Sequence, residues 1–336
     1  MRHRTDVLIA SLMLAVMIAA PTMAAPPAAP RILGPSEIPP TTDGGSFPAT
    51  PGEVGITDAA CPNWDSLKKT VSGGLDITND GAVIEYHDIS GGEIDVNASN
   101  VTVRCTRIRT TARYPINCST FGGNQCGGRL LIENVEAIGD GANGSTSAVA
   151  IIFASDSTIR NSYLTGGVDT LKIHGARNTI EGSYIGCQSG RPGDHMDTIQ
   201  TRKATDLTLR NNYMVGLGCS DSGNNASTHN SANIFMQNND GPITRLLIEG
   251  NYIHGGGKLI HFDEDADKAP ASIEQITVRN NRGTANFWRF NSVLPAFDVT
   301  SNGRCSVWTG NTFSDGTEWK WTGATGGGCD LPQDSR

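Results

Sequence analysis

Apolar positions along the middle of the chain alternate with polar ones in short runs, and the runs repeat. The unit is a threonine or an apolar residue, then an apolar core residue, a charged or polar residue, and usually Asn or Gly. It occurs as Thr102-Val103-Arg104, Leu131-Ile132-Glu133-Asn134, Thr158-Ile159-Arg160-Asn161, Thr179-Ile180-Glu181-Gly182, Thr208-Leu209-Arg210-Asn211, Leu247-Ile248-Glu249-Gly250, Thr277-Val278-Arg279-Asn280 and Val307-Trp308-Thr309-Gly310. The intervals are 29, 27, 21, 29, 39, 30 and 30 residues. Alternation over so few residues predicts strands rather than helices, with Asn and Gly at bends that need left-handed backbone. A self-similar period of this size, built from strands and turns, predicts an all-β parallel solenoid (β-helix) of about eight coils. A leucine-rich repeat would need Leu-x-x-Leu-x-Leu spacing, which is absent, and a β-sandwich would alternate without repeating itself.

In a parallel solenoid, equivalent residues on successive coils stack about 4.8 Å apart, so residues distant in sequence form columns. Aligning the coils places Lys172 over Gln200, then near Phe235 and His261. His174 falls over Arg202, then near Gln237 and Asp263. Leu171, Ile173, Ile199, Thr201, Ile234, Met236, Ile260 and Phe262 take the inward phase, which leaves Thr170, Lys172, His174, Thr198, Gln200 and Arg202 facing outward. Asp169 and Asp197 share a register 28 residues apart and belong to the bend entering each strand, with Asp194 and His195 on the same bend. Two carboxylates one strand spacing apart either raise one another's pKa or hold a cation between them. The plain alternatives are bend-capping aspartates, an ordinary turn histidine, a stacked amide at Gln200 and solvated charges at Lys172 and Arg202. Tyr163, Tyr184, Tyr213 and Tyr252 recur at one repeat position and are expected to stack as a structural column.

The ends of the chain differ from its middle. Arg2, His3 and Arg4 precede an apolar run from Val7 to Ala20 and a small-residue segment, the three parts of a secretory signal over residues 1–24. That run is too short to span the hydrocarbon of a bilayer, about 30 Å thick. Residues 25–60 hold six prolines between Pro26 and Pro40 and read as a linker or arm. Residues 61–336 form the solenoid domain with its caps: Trp64 to Thr70 is a candidate cap at one end, and Trp308, Trp319 and neighbouring aromatics suit the other. Eight cysteines without a CxxC pair favour disulfides in an oxidising compartment over a zinc site. Proximity suggests Cys118–Cys126, Cys187–Cys219 and Cys305–Cys329, and Cys61 then takes Cys105.

With 26 basic and 34 acidic residues the chain carries −8; removing Arg2, Arg4 and Asp6 leaves 24 against 33, or −9. Nucleic acid is therefore not an expected partner, since phosphate binding needs a basic face. A monomer is expected, without an organic cofactor.

The runs Asn100-Val101-Thr102-Val103-Arg104, Asp169-Thr170-Leu171-Lys172, His195-Met196-Asp197-Thr198-Ile199-Gln200 and Leu247-Ile248-Glu249-Gly250-Asn251-Tyr252-Ile253 resemble secreted bacterial right-handed parallel β-helix proteins of the pectate-lyase-like superfamily. The resemblance spans roughly Ala82 to Phe313 and implies a right-handed helix acting on an extracellular polysaccharide. A uronate lyase must neutralise the substrate carboxylate, often with Ca²⁺, and remove the adjacent carbon-bound proton. Catalytic candidates are then Lys172, Arg202, His195 and Asp197, with Asp169, His174, Gln200, Gln237 and His261 binding substrate and Asp169, Asp194 and Asp197 as candidate Ca²⁺ ligands. The run Asp263-Glu264-Asp265-Ala266-Asp267 is a second Ca²⁺ candidate or a solvated loop. A glycoside hydrolase using Asp169 with Asp197 and a non-catalytic glycan-binding β-helix are the alternatives.

Overall fold

The computed structural model describes residues 52–119, 126–139, 146–190, 194–216, 230–255, 258–263, 273–283, 297–299, 304–313 and 315–319. The expected signal, most of the arm, Cys219, Cys329, Phe287, Trp288, Phe290, Trp321 and residues 264–267 lie outside them.

Each coil contributes three strands, as in Asp169–Ala176, Thr179–Glu181 and Tyr184–Gly186, followed one rung later by Met196–Thr201, Thr208–Arg210 and Tyr213–Gly216. Every strand pairs in parallel with its equivalent in the next coil, as Thr179–Glu181 does with Thr208–Arg210. This is the parallel β-helix expected from the repeat. The second face has nine rungs among the described residues, from Val83–Glu85 to Arg304–Thr309. The extra rung is Val83–Glu85, which lacks the Asn/Gly ending that marks its successors.

Inward Ile, Leu and Val side chains from all three faces join in one core running the length of the helix. The bends show why the repeat tolerates only certain residues. Asn134, Asn161, Asn211 and Asn280 sit at φ 53, 50, 52 and 55°, in the left-handed region, where Gly182, Gly250 and Gly310 replace them on other coils. Just inside this corner, Asn212, Asn251, Asn281 and Asn311 form a buried amide ladder. Backbone N–H groups of Asn212, Asn251 and Asn281 donate to the next asparagine's Oδ1 at 2.9, 2.9 and 3.0 Å, which satisfies polar groups that would otherwise be costly inside.

The opposite corner carries left-handed residues that sequence did not single out. Arg129, Asp156, Arg177, Asp206, Arg245 and Gln275 all have φ between 55 and 60°. Charge alternation holds them: Arg177 reaches Asp156, and Arg245 reaches Asp206, each at 2.5 Å. Tyrosines 163, 184, 213 and 252 stack with ring centroids 5.0, 5.4 and 4.9 Å apart, as expected, and Val54 of the N-terminal arm packs against their column.

Trp64–Leu67 is a single helical turn, and Lys69 already begins the first strand. Trp64 packs beside the Cys61–Cys105 disulfide at the corner of the early coils. Cys118 and Cys126 are also bonded, and Cys187 is in a disulfide. At the far end Trp308 and Trp319 are buried in the core, with the Trp308 indole N–H donating to the Trp319 carbonyl at 3.0 Å. Among the described residues no helix is long and apolar enough to cross a membrane.

Candidate functional site

The face that begins each coil departs most from the repeat. Its register places Ile151, Lys172, Gln200, Phe235 and His261 in one outward column. Inward neighbours Leu171, Ile173, Ile199, Thr201, Ile234, Met236, Ile260 and Phe262 are all buried, so the alternation read from sequence holds.

Two of the expected outward residues do not reach solvent. Thr170 and Thr198 are fully buried, because they lie in the corner where the preceding face turns into this one. The Thr170 hydroxyl donates to the carbonyls of Gly166 and Gly186 at 3.4 and 3.3 Å. Thr198 donates to Asn233 Oδ1 at 3.0 Å and accepts from Gln188 Nε2 at 2.7 Å. Alternation assigns a side of the strand but cannot show that a corner folds over it.

Asp169 and Asp197 occupy this same corner, and each splits its two oxygens between a backbone N–H and side-chain partners. Asp169 Oδ1 accepts the backbone N–H of Asp197 at 2.8 Å, and Asp197 Oδ1 accepts that of Ala232 at 3.1 Å. Each aspartate thus caps the strand one rung ahead of it. The second oxygen meets a side chain: Asp169 Oδ2 holds Lys172 Nζ at 2.8 Å. Asp197 Oδ2 lies 3.2 Å from His195 Nδ1 and accepts from Gln200 Nε2 at 3.3 Å. The capping and chemical readings of these aspartates therefore coexist, one on each oxygen.

Exposure divides the partners in the same way. The Asp169 and Asp197 side chains are 3% and 0% exposed, Lys172 22% and His195 55%. Burial pushes the Asp169 carboxyl up to about 6, against the opposing Lys172 ammonium and with help from the Asp197 charge. The hydrogen bond to Asp197 raises the His195 imidazole above its ordinary 6.5, with burial opposing. Two buried carboxylates on successive rungs thus each hold a nitrogen group that reaches solvent.

The flanking candidates have their own partners. His174 stacks flat on Phe153, with centroids 3.8 Å apart and planes 5° from parallel. Burial lowers its pKa to about 4, so it is neutral at physiological pH. Arg202 pairs with Asp240 at 3.2 Å, while its buried Nε has no hydrogen-bond partner. Gln237 Nε2 donates to Asp263 Oδ2 at 2.8 Å. Phe235 lies between His195 and His261, with centroids 5.1 and 4.9 Å away, and is itself buried at 5% exposure, so the outward column beyond Gln200 is closed to solvent at this rung.

Among the described residues no group of three His, Cys, Asp or Glu side chains is placed to hold a metal ion. The oxygens of Asp169 and Asp197 contact backbone N–H groups, Lys172, His195 and Gln200. Asp194 is partly buried on the bend ahead of His195.

Sequence reasoning missed Asp240, Phe153 and the burial of the two threonines. Asp240 lies in a turn, where register gives no guidance. Phe153 had a signal, since it ends a strand one rung before His174. No protein-family model matches the chain, and neither a curated protein nor a solved structure does.

Proposed function

We propose that the chain is a secreted carbohydrate-active β-helix that cleaves an acidic polysaccharide by β-elimination on the face bearing Lys172, His195 and Gln200. The observation that carries this reading is the pair of buried aspartates on successive rungs, one holding an ammonium and the other an imidazole. Elimination from a uronate needs a positive group to neutralise the carboxylate and a base to take the carbon-bound proton beside it. The ammonium of Lys172, fixed by Asp169, supplies the first. His195 supplies the second: with Asp197 on Nδ1, Nε2 takes the proton from the carbon beside the carboxylate as the adjacent C–O glycosidic bond breaks to give the double bond, and the imidazolium, stabilised by the buried carboxylate, returns the proton to the leaving sugar oxygen. Gln200 holds the neighbouring sugar ring, with His174 and Arg202 along the other edge. The disulfides agree with the oxidising compartment that a secretory signal implies.

A panel of polyuronates and neutral polysaccharides, assayed for both new double bonds by ultraviolet absorbance and new reducing ends, tests the proposal. Double bonds formed from a polyuronate and lost in His195→Ala support it. Reducing ends without double bonds would point to hydrolysis, in which Asp169, with its raised pKa, is the acid candidate. Binding without cleavage of any kind would leave a glycan-binding protein.

A further inference from the structure

The buried corner behind Asp169 and Asp197 is polar on some rungs and apolar on others. One column there reads Ala148, Asp169, Asp197 and Ala232, and the column beside it Val149, Thr170, Thr198 and Asn233, all buried. Polarity therefore begins on the rung that carries Lys172. On that rung the Thr170 hydroxyl is directed at backbone carbonyls. On the rung of Asp197 the threonine stands between two side-chain amides instead: Thr198 accepts from Gln188 Nε2 at 2.7 Å and donates to Asn233 Oδ1 at 3.0 Å. Gln188 is 4% exposed, and a buried, connected chain of this kind holds its members in one geometry.

Gln188 lies at the start of the connection that leads from Tyr184–Gly186 to His195. The next residue is tied to the coil before it, the Ser189 N–H donating to the Gly167 carbonyl at 2.8 Å. That coil has Gly166 and Gly167 at the matching point, so it offers Thr170 no amide of this kind. Gly190 follows, and a Cβ there would lie 2.5 Å from Met196 Sδ and 3.3 Å from Asp194 Cβ. The backbone two residues past Gln188 thus presses on both chain neighbours of His195. Met196 is buried, and Asp197 is fixed by its own N–H on Asp169 Oδ1 and by the Ala232 N–H on its Oδ1. Asp197, Asp169 and Lys258 are the charged groups that act on the imidazole, and Asp197 is the one in contact with Nδ1.

We infer that Gln188 is a positioning residue for His195: by binding Thr198 it fixes the connection packed on Asp194 and Met196, and so keeps the His195 Nδ1–H on Asp197 with Nε2 as the proton acceptor. The inference rests on the reading of His195 as base in the preceding section. The neutral form of an imidazole is set by the hydrogen bond that one of its nitrogens makes. Half of the His195 ring is in solvent, so its side chain is not held by burial, and the backbone that carries it must be.

The test reads which nitrogen of the neutral His195 ring carries the proton, by nitrogen NMR of the labelled imidazole, beside kcat and KM on a polyuronate. The proteins compared are the wild type, Gln188→Leu, Thr198→Val and Thr198→Ser. Leucine fills the space of glutamine and leaves Thr198 able to donate to Asn233, so the fold is expected to survive. The expected result is a proton on Nδ1 in the wild type and in Thr198→Ser, and a shift toward Nε2–H in Gln188→Leu and Thr198→Val. In those two variants kcat should fall about tenfold, a part of what a general base contributes, at unchanged KM. A wild-type ring protonated at Nε2, or a ring unchanged in folded Gln188→Leu, would overturn the inference. Should Gln188→Leu not fold, Thr198→Val set against Thr198→Ser decides in the same way. A wild type without turnover on any polyuronate, or a shifted proton with unaltered kcat, removes His195 as the base and leaves its positioning by Gln188 standing.

Discussion

Two faces of the same solenoid use charge in opposite ways. On the second face Glu85, Arg104, Glu133, Arg160, Glu181, Arg210, Glu249 and Arg279 alternate in sign, one per rung, in strict register. Four pairs close at 2.9, 2.7, 2.5 and 2.6 Å, with the arginines 41–49% exposed and the glutamates 20–33%, none as buried as Asp169 or Asp197. A shallow depression opens there beside Arg245, Leu247, Gln275 and Arg279, but both arginines are already held by Asp206 and Glu249. On the face bearing Lys172 the carboxylates are buried, their partners are not repeated, and one column changes from Ile to Lys to Gln to Phe to His. Where a solenoid needs only to stack, each rung repeats the same solution. On the Lys172 face the rungs differ.

The sharpest way to break this contrast is at Lys172. Lys172→Met should abolish turnover and also lower stability by about 3 kcal/mol, because it leaves Asp169 buried without its partner. The double variant Asp169→Asn/Lys172→Met should regain most of that stability in urea denaturation, since asparagine can still accept the Asp197 N–H, but no activity. Recovery of turnover in the double variant would make the pair purely structural.

His195→Ala should reduce kcat by about 10²-fold or more, as loss of a general base does, with little change in stability because the imidazole is half-exposed. The base must be neutral to act, so kcat/KM of the wild type should fall as pH drops through a His195 pKa that lies above 6.5. A pH profile flat from pH 5 to 8 would remove His195 from that role.

The pH dependence of stability separates two buried groups of opposite sign. His174 has a folded pKa near 4, below its ordinary 6.5, so its contribution is present above 6.5 and lost as pH falls toward 4. Asp169 has a folded pKa near 6, above 3.8, so its contribution is present below 3.8 and lost as pH rises through 6. Between these limits the two oppose one another. His174→Gln should therefore leave a stability that declines with rising pH from 4 to 6, read by denaturant midpoints across that range.

The smallest effect belongs to the ladder. Arg210→Ala removes a surface pair and should cost less than about 1 kcal/mol, with turnover unchanged.

Much of this contrast was legible in the chain. The repeat fixes register, and register alone puts Lys172 beside Gln200 and Phe235 beside His261. What it could not show lies at the corners and in the turns. Thr170 and Thr198 alternate as outward residues yet lie under the fold of the corner. Asp169 and Asp197 look like either caps or functional acids, whereas each is a cap through one oxygen and holds a side chain through the other. Gln188 sits in a connection with no repeat partner, so nothing in the pattern placed it beside Thr198. Alternating charges at left-handed positions such as Asp156 and Arg177 became meaningful only once the rungs were stacked.

The most direct measurement compares the two faces in one assay: double-bond formation on a polyuronate by wild type, His195→Ala and Arg210→Ala. The account predicts that turnover is lost in His195→Ala and unchanged in Arg210→Ala. Full turnover by His195→Ala, with the protein folded, would contradict it.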